Sequence, residues 1–264
     1  MDRLDRRDIR FVFVCLLVIA AGAAVTASLF RRAFPEASIE FRVNRGQARV
    51  LAEKLLAERG RDIAGARFAG QFAVDDTAKV YLERELGLER AGSIYGRDAK
   101  IWQWQMRWFR SGVKEEERVT ISPLGDLIAF QSVVKESAPG ERLTQDQARA
   151  IALEFLASRG LAEAALAPIE ATPATRPNRT DWSFVDEKAG ARFGDATVRY
   201  STTVSGNRVT GYQEFVHVPQ AWTRDYDRLR SKNEAAGQVA TFGLFLTILA
   251  MLAVLVAKIV RKDV

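Results

Sequence analysis

The stretch Asn44–Gly60 reads NRGQARVLAEKLLAERG, and Thr144–Gly160, one hundred residues later, reads TQDQARAIALEFLASRG. Eight of the seventeen aligned positions carry the same residue in both stretches. In each stretch, apolar residues recur at i, i+3, i+4, i+7 and i+8, the spacing that places them along one side of an α-helix. The two stretches therefore predict two similar helices, each with an apolar face that another layer must cover.

Residues that begin and end helices stand at both ends of each copy. Asn44 and Thr144 precede the apolar stripes, and their side-chain oxygens suit the N-cap position. Gly60 and Gly160 follow the stripes, where a glycine commonly ends a helix. The predicted helices therefore have the same length and the same boundaries.

Strand-like segments follow each helix. After the first copy come KIWQWQMRWF and EERVTISPLGDLIAFQSVV; after the second come TDWSFVD and ATVRYSTTVSGNRVTGYQEFVHV. Alternating apolar and polar residues, rich in β-branched and aromatic types, are typical of half-buried strands. The PLGD and SGN turns predict a hairpin at the end of each copy. The repeating unit is thus one helix followed by about three antiparallel strands, an α+β arrangement.

The two copies differ between the helix and the later strands. The first copy carries DDTAKVYLERELG, which predicts an additional helix with Asp75 or Asp76 as its cap and Gly87 at its end. The second copy carries APIEATPATRPNRTD, which we interpret as a proline-rich loop.

Two blocks are almost purely apolar, Phe11–Phe30 and Val239–Ala257. Apolar runs of about 20 residues are long enough to cross a bilayer as helices. We predict transmembrane helices at 11–30 and 238–260; a cleaved signal peptide is the alternative for the first. Both termini then lie on the same side, with cytoplasmic tails at 1–10 and 261–264.

The orientation follows from the length of the segment between the spans. Basic residues flank the spans almost equally on the two sides, but long loops cross the membrane largely regardless of their charge. We therefore expect residues 31–237 outside the cytoplasm. The formal net charge is +6 over the chain, too small to predict nucleic-acid binding. Cys15, the only cysteine, lies within the first predicted span.

The repeated unit resembles the PepSY-like module, a small helix-plus-antiparallel-sheet domain of bacterial envelope proteins. The residues that carry the resemblance are the QARAIALEFL-type helix and the VTISPLGDLIAF-type hairpin. We accordingly predict two tandem modules, 35–138 and 139–222, between the spans. PepSY-like domains are associated with the regulation or inhibition of peptidases and with sensing at the envelope, rather than with catalysis.

A longer resemblance covers nearly the whole chain. Six segments occur in the order found in the extracytoplasmic region of some bacterial CAAX-processing-type (CPBP) intramembrane metalloproteases: FPEASIEFRVNRGQA, YLERELGLERA, WQWQMRWF, EEERVTISPLGDLIAF, RPNRTDWSF and VHVPQAW. In that family this region precedes the catalytic membrane helices. The resemblance implies a role beside an intramembrane protease.

The catalytic motif of that family is missing from this sequence. The family carries paired glutamates, an arginine four residues beyond, and histidines, all within membrane helices. Here Glu115–Glu117 are followed at once by Arg118, outside both predicted spans, and neither span contains Glu or His. We interpret the glutamate run as a solvated strand edge, with a cation site as the alternative. No catalytic or metal-binding residue is carried over.

The remaining residues do not form a catalytic motif by themselves. His217 is the only histidine and lies at the end of a predicted strand. The sequence has no cluster of zinc ligands, no glycine elbow around a serine and no glycine-rich phosphate loop. We therefore expect no catalytic residue, no metal and no cofactor.

Two groups of residues are candidates for an interaction face. Trp102, Trp104 and Trp108 alternate along one predicted strand and therefore share a face. That face either packs in the core under the first helix or binds a peptide. Arg176 and Arg179 lie in the polar RPNRTD segment, which is either a docking surface or a structural loop.

We interpret the chain as a membrane-anchored, non-catalytic module of the bacterial inner membrane. It would bind, sense or gate substrate for an intramembrane protease, and its partners would be the lipid bilayer and that protease or its peptide substrate. Two alternatives remain open at this point. The first is that the chain is the N-terminal part of a CPBP-type metalloprotease whose catalytic helices lie beyond residue 264. The second is that it is a structural scaffold of the envelope.

Overall fold

A computed structural model of the chain describes residues 6–34 and 39–260. This part contains eight β-strands, six α-helices and a short 3-10 helix at Glu163–Ala165. The helices are α1 (Arg6–Ala33), α2 (Arg45–Glu58), α3 (Asp76–Leu86), α4 (Leu88–Ile94), α5 (Gln145–Ser158) and α6 (Gln220–Val260). The strands are β1 (Arg67–Val74), β2 (Trp102–Phe109), β3 (Glu116–Ile121), β4 (Leu127–Val133), β5 (Leu166–Thr175), β6 (Thr180–Phe193), β7 (Ala196–Ser205) and β8 (Arg208–His217).

Some predicted boundaries fall outside the described residues. These are positions 1–5 of the first predicted tail, the whole of the tail 261–264, and residues 35–38, with which the first predicted module begins. The chain divides into two compact units between His217 and Val218. The first unit contains the sheet and five helices, and the second consists of α6.

Two helices are long and apolar enough to cross a membrane, α1 over Arg10–Phe30 and α6 over Gln220–Lys258. Their large apolar side chains are exposed, as at Phe11 and Val239, which are 70% and 73% accessible. Such exposure is unfavourable in water and favourable in lipid. The two helices are therefore consistent with membrane anchoring, although a signal sequence would satisfy the same criteria at α1.

All eight strands form one antiparallel sheet in the order β1-β2-β3-β4-β8-β7-β6-β5. The four strands that follow α2 occupy one half, and the four that follow α5 occupy the other in mirrored order. The halves meet where β4 pairs with β8, through Ala129–Gln213, Phe130–Tyr212 and Gln131–Gly211. The fold is thus α+β, with both repeated stretches contributing to a single sheet.

The strand register is the same in the two halves. In the first half, Met106 lies opposite Val119, which lies opposite Phe130. In the second half the corresponding row is Phe184, Thr202 and Tyr212. The two rows meet at the Phe130–Tyr212 pair, so one half of the sheet corresponds to the other residue by residue along this row.

Helices α2 and α5 pack on the same core, and their caps confirm the boundaries predicted from the sequence. Asn44 and Thr144 each form a capping box with the glutamine three residues later. Gly60 and Gly160 adopt positive φ angles of 65° and 79° after the last turn. The helix residues that face the core are fully buried in both copies: Ala48, Ala52, Leu56, Ala148, Ala152 and Leu156.

Two tryptophans attach the helix starts to the sheet. The Trp104 indole nitrogen donates a hydrogen bond of 3.1 Å to the carbonyl of Val43, just before the cap of α2. The Trp182 indole nitrogen donates one of the same length to the carbonyl of Leu143, just before the cap of α5. Each tryptophan satisfies its own polar N–H and fixes the point at which its helix begins.

The prediction of a proline-rich loop after α5 was wrong. The first part of that segment, up to Thr175, belongs to β5 at the edge of the sheet, and only residues 176–179 form a connection, the one between β5 and β6. The pairing of β5 with β6 shifts register between Pro168 and Glu170. Proline is tolerated on an edge strand because its missing N–H would otherwise face solvent. The edge strand β1 was also missed, because RFAGQFAV alternates only weakly.

The additional helix of the first copy is confirmed as α3, with Asp75 as its cap and Gly87 at its end. The short helix α4, which was not predicted, follows directly. From α3, the Tyr81 hydroxyl accepts hydrogen bonds from the backbone N–H groups of Asp195 and Ala196, at 3.0 and 3.1 Å. The insert of the first copy therefore contacts the β6–β7 hairpin of the second.

The arginines that stand at the ends of both repeated helices, Arg59 and Arg159, differ in their contacts, so their substitution should have unequal effects on stability. Arg59 lies 3.9 Å from the Phe130 ring centroid and donates to the Val209 carbonyl at 2.8 Å, whereas Arg159 is exposed. We expect Arg59→Ala to lower the free energy of unfolding by about 1–3 kcal/mol, through loss of the cation–π contact and the charged hydrogen bond. Arg159→Ala should change it by less than about 0.5 kcal/mol.

Urea unfolding of the full chain in detergent, followed by near-ultraviolet circular dichroism, measures both values. Equal stabilities of the two variants would contradict the structural difference between the helix ends.

Candidate binding groove on the open face of the sheet

The face of the sheet opposite α2 and α5 carries an open groove of about 770 Å³. It crosses six neighbouring strands, from β1 at one edge through the β4–β8 junction to β7. Strand alternation produces this face: where Trp104, Met106 and Trp108 point to the core, Gln103 and Gln105 point the other way. Five glutamines contribute to the lining: Gln71, Gln103, Gln105, Gln131 and Gln213.

Three of these glutamines form a row across β1 and β2. The Gln71 side-chain amide donates to the Gln105 oxygen at 3.2 Å, and the Gln105 amide donates to the Gln103 oxygen at 3.2 Å. A carboxamide has two N–H donors and two acceptor lone pairs, so this row retains hydrogen-bonding capacity toward the groove. Neutral donors and acceptors of this kind complement peptide groups.

A charged cluster lies beside the glutamine row. The Glu116 carboxylate accepts hydrogen bonds from Nε of Arg107 and Nε of Arg118, each at 2.6 Å. Arg118 also donates to the Gln131 oxygen at 3.3 Å. Two guanidinium groups share one carboxylate, so the cluster carries a formal charge of +1.

The interpretation of Glu115–Glu117 as a solvated strand edge was wrong. β3 lies inside the sheet between β2 and β4, and Glu116 is only 8% exposed. Its carboxylate is occupied by Arg107 and Arg118, while Glu115 pairs with Lys135 at 2.9 Å. The sequence pattern suggested an edge because three adjacent carboxylates are costly inside a sheet unless cations from the neighbouring strands neutralise them.

Adjacent glutamates on β3 have pKa shifts of opposite sign because they point to opposite faces. Desolvation raises the pKa of Glu116, but hydrogen bonds from Arg107 and Arg118 outweigh it, so the net pKa lies below the ordinary value. Desolvation dominates at Glu117 and raises its pKa, although Ser132 donates to its carboxylate at 2.5 Å.

The predicted tryptophan face lies on the side of the sheet away from the groove. Trp102 and Trp108 are 5% and 3% exposed, and half-buried Trp104 packs against Phe72 with ring centroids 4.8 Å apart. These positions fit the alternative of core packing, and they leave Trp102 and Trp108 without the exposure that a peptide-binding face needs. In the sequence, the alternation WQWQM already indicates a polar face, since it places the glutamines on the face of β2 that lies opposite the tryptophans.

The two arginines of the RPNRTD segment have structural contacts. Arg179 is 3% exposed; it donates to the carbonyls of Lys135 and Ala138, both at 2.8 Å, and to the Asp181 carboxylate. Arg176 also pairs with Asp181, at 3.1 Å. Together they hold the connection between β5 and β6 against the segment after β4, apart from the groove.

Other residues considered from the sequence lie away from the groove. His217 ends β8, where burial lowers the pKa of its imidazole. Cys15 lies in α1. Within residues 6–34 and 39–260, no group of three or more His, Cys, Asp or Glu side chains could hold a metal ion.

No protein-family model matches the chain, and no curated protein or solved structure is significantly similar to it.

The opposite shifts on β3 predict opposite effects of two similar substitutions. Glu116 has a lowered pKa, so it stabilises the fold above its unfolded pKa of about 4.3 and loses that contribution as pH falls. Glu116→Gln should therefore be less stable than the wild type at pH 7, with the difference disappearing in acid. Glu117 has a raised pKa, so its charge opposes folding as pH rises above about 4.3. Glu117→Gln, which still accepts from Ser132, should be at least as stable as the wild type at pH 7.

Unfolding of both variants between pH 3 and 7 tests these signs. A greater loss of stability at pH 7 for Glu117→Gln than for Glu116→Gln would contradict them.

Proposed function

We propose that the chain is a membrane-anchored, non-catalytic module that holds an extended polypeptide segment for an intramembrane protease. The open groove across six strands is the observation that carries this proposal. An uncovered polar face in a sheet whose other face is covered by two helices provides a surface for a ligand.

The size and chemistry of the groove favour an extended chain. Six strands about 4.8 Å apart span about 24 Å, which corresponds to about seven residues of extended polypeptide. Glutamine side chains offer donors and acceptors without strong charge, and Thr120, Ser201 and Thr203 add hydroxyl groups. These groups can bind peptide backbones of varied sequence, as a module that presents substrates requires.

The composition of the groove supports binding rather than covalent chemistry. Its lining residues include no histidine and no cysteine, and the neighbouring Glu116 is held by two arginines. The hydroxyl groups of the lining have no adjacent base to activate them. The role proposed for this chain is therefore to bind and position a polypeptide.

The protease partner is proposed from the PepSY-like resemblance. The mirrored strand order, the shared register and the paired bonds from Trp104 and Trp182 support a tandem of two such modules, 35–138 and 139–222, joined through their last strands. PepSY-like domains are associated with peptidase regulation, and the longer resemblance is to a region of intramembrane metalloproteases.

The proposed location is the bacterial inner membrane, with residues 31–237 outside the cytoplasm. In a Cys15→Ser background, a cysteine at exposed Ser137 should react with a membrane-impermeant thiol reagent in intact cells. A cysteine at Asp263 should react only after the membrane is permeabilised. Labelling of Asp263→Cys and protection of Ser137→Cys in intact cells would invert this topology.

Site-specific photocrosslinking tests the groove. We expect a photoreactive amino acid at Gln105 or Gln213 to form adducts with an intramembrane protease or its polypeptide substrate, because both positions line the groove. The control is Lys54, whose side chain is 73% exposed on α2. Adducts equal to those of the control would contradict binding in the groove, and hydrolysis of unfolded casein by the purified chain would contradict a non-catalytic role.

A further inference from the structure

The two edges of the sheet differ in how well they are protected. β5 carries Pro168 and Pro173 and a register shift against β6. β1 pairs with β2 over eight consecutive residues without a shift and contains no proline. In the described part of the chain, β2 is the only strand paired with β1. Every second residue of β1 therefore directs its backbone N–H and C=O outward, where they can pair with another strand.

The edge at β1 is also basic. The Arg49 guanidinium lies 4.3 Å from the Phe68 ring centroid, and that of Arg45 lies 5.8 Å from it. Arg67 begins the strand itself. Arg49 pairs with Glu53 at 2.7 Å, whereas neither Arg45 nor Arg67 has an ion pair within the described residues. Two uncompensated cations thus lie beside the outward-directed backbone groups of β1, Arg45 on the helix side and Arg67 on the opposite face.

The second half of the sheet provides an internal comparison. By sequence alignment, Gln145 stands where α2 has Arg45, and by strand register Pro168 and Ala167 stand where β1 has Phe68 and Arg67. Arg149, the counterpart of Arg49, is bound to buried Asp186 at 2.6 and 2.8 Å. The same framework therefore has prolines, a register shift and no arginine along one edge, and an uninterrupted, basic strand at the other.

We propose that the outer edge of β1 binds an extended, acidic segment of a partner polypeptide as a ninth strand of the sheet. Hydrogen bonds to the backbone of β1 would fix the register of the bound segment relative to this strand. Carboxylates at alternate positions of the segment would face Arg45 on the helix side of β1, the side to which Phe68 and Gly70 point. Arg67 lies on the opposite face of the strand, where it adds to the positive charge of the edge. Gly70 presents no side chain between the strand edge and Arg45, whose Nε lies 3.4 Å from where a Cβ would be.

This site uses the outer backbone of β1 and the start of α2, so it does not depend on the groove. A substitution such as Gln213→Ala changes the groove at the β4–β8 junction and should leave binding at the edge unchanged. Loss of binding at one site is therefore distinguishable from loss at the other.

Fluorescence anisotropy of the full chain in detergent, at low salt, tests the proposal with synthetic peptides. The probe is a labelled eight-residue peptide that alternates valine and glutamate. A version with lysine in place of glutamate tests charge, and versions N-methylated on one or the other set of alternate residues test backbone pairing. We expect the acidic peptide to bind, the lysine version to bind at least about tenfold more weakly, and one N-methylated version to lose binding.

Reversing the charge of Arg45 tests whether this residue recognises the carboxylates of the peptide. Arg45→Glu places a carboxylate in the first turn of α2, where it favours the helix, so the variant should fold. It should weaken binding of the acidic peptide at least about tenfold and strengthen binding of the lysine peptide. Gln145→Glu, which introduces the same group at the matched position of α5, should leave both affinities unchanged.

Several results would overturn the proposal. They are equal binding of all N-methylated and unmethylated peptides, an unchanged affinity in Arg45→Glu, and no binding of the acidic peptide. Self-association would also overturn it: if Ala69→Cys in a Cys15→Ser background forms disulfide dimers that exclude the peptide, the edge pairs with a second copy of the chain.

Discussion

The antiparallel pairing of β4 with β8 is the constraint on which the rest of the sheet depends. Only three residue pairs form it, yet it joins two four-stranded halves into one sheet. Aromatic packing strengthens the junction: the Phe155 ring lies 5.6 Å from that of Phe130 and 5.3 Å from that of Tyr212, and Arg59 lies over Phe130. Without this pairing, β4 and β8 would each be an unprotected edge.

The junction also determines which surfaces remain available. Because the last strands of both halves pair antiparallel in one plane, α2 and α5 pack on the same core and the opposite face stays open. The groove follows from this arrangement, since it needs polar residues of both halves side by side, such as Gln131 and Gln213. Either half alone would provide a narrower surface, with fewer strands for a ligand to cross.

The two halves share a framework but have diverged in chemistry. Asp186 of β6 binds Arg149 of α5 in an ion pair that is buried at the carboxylate, whereas the corresponding Trp108 of β2 packs on Phe68 under Arg49. In the second half a buried carboxylate thus holds the arginine in place. In the first half, arginines remain at the sheet edge. Similar helices therefore support different surfaces, which is how a repeated unit can acquire a binding function on one side only.

The local elements could be predicted from the sequence alone. The apolar stripes, caps and glycines of α2 and α5, the insert helix α3 and the two glycine hairpins follow from periodicity and backbone preference, which act over a few neighbouring residues. The alternation of tryptophan with glutamine also assigned residues of β2 to opposite faces. Long-range packing, by contrast, decides that the tryptophan face of β2 is buried, that β5 is a strand despite its prolines, and that Glu116 lies inside the sheet between two arginines. Those outcomes depend on neighbours far apart in the chain: β6 tolerates Pro168 because β5 lies at an edge, Arg107 and Arg118 neutralise Glu116, and Gln105 and Gln213 share a groove only because β4 pairs with β8.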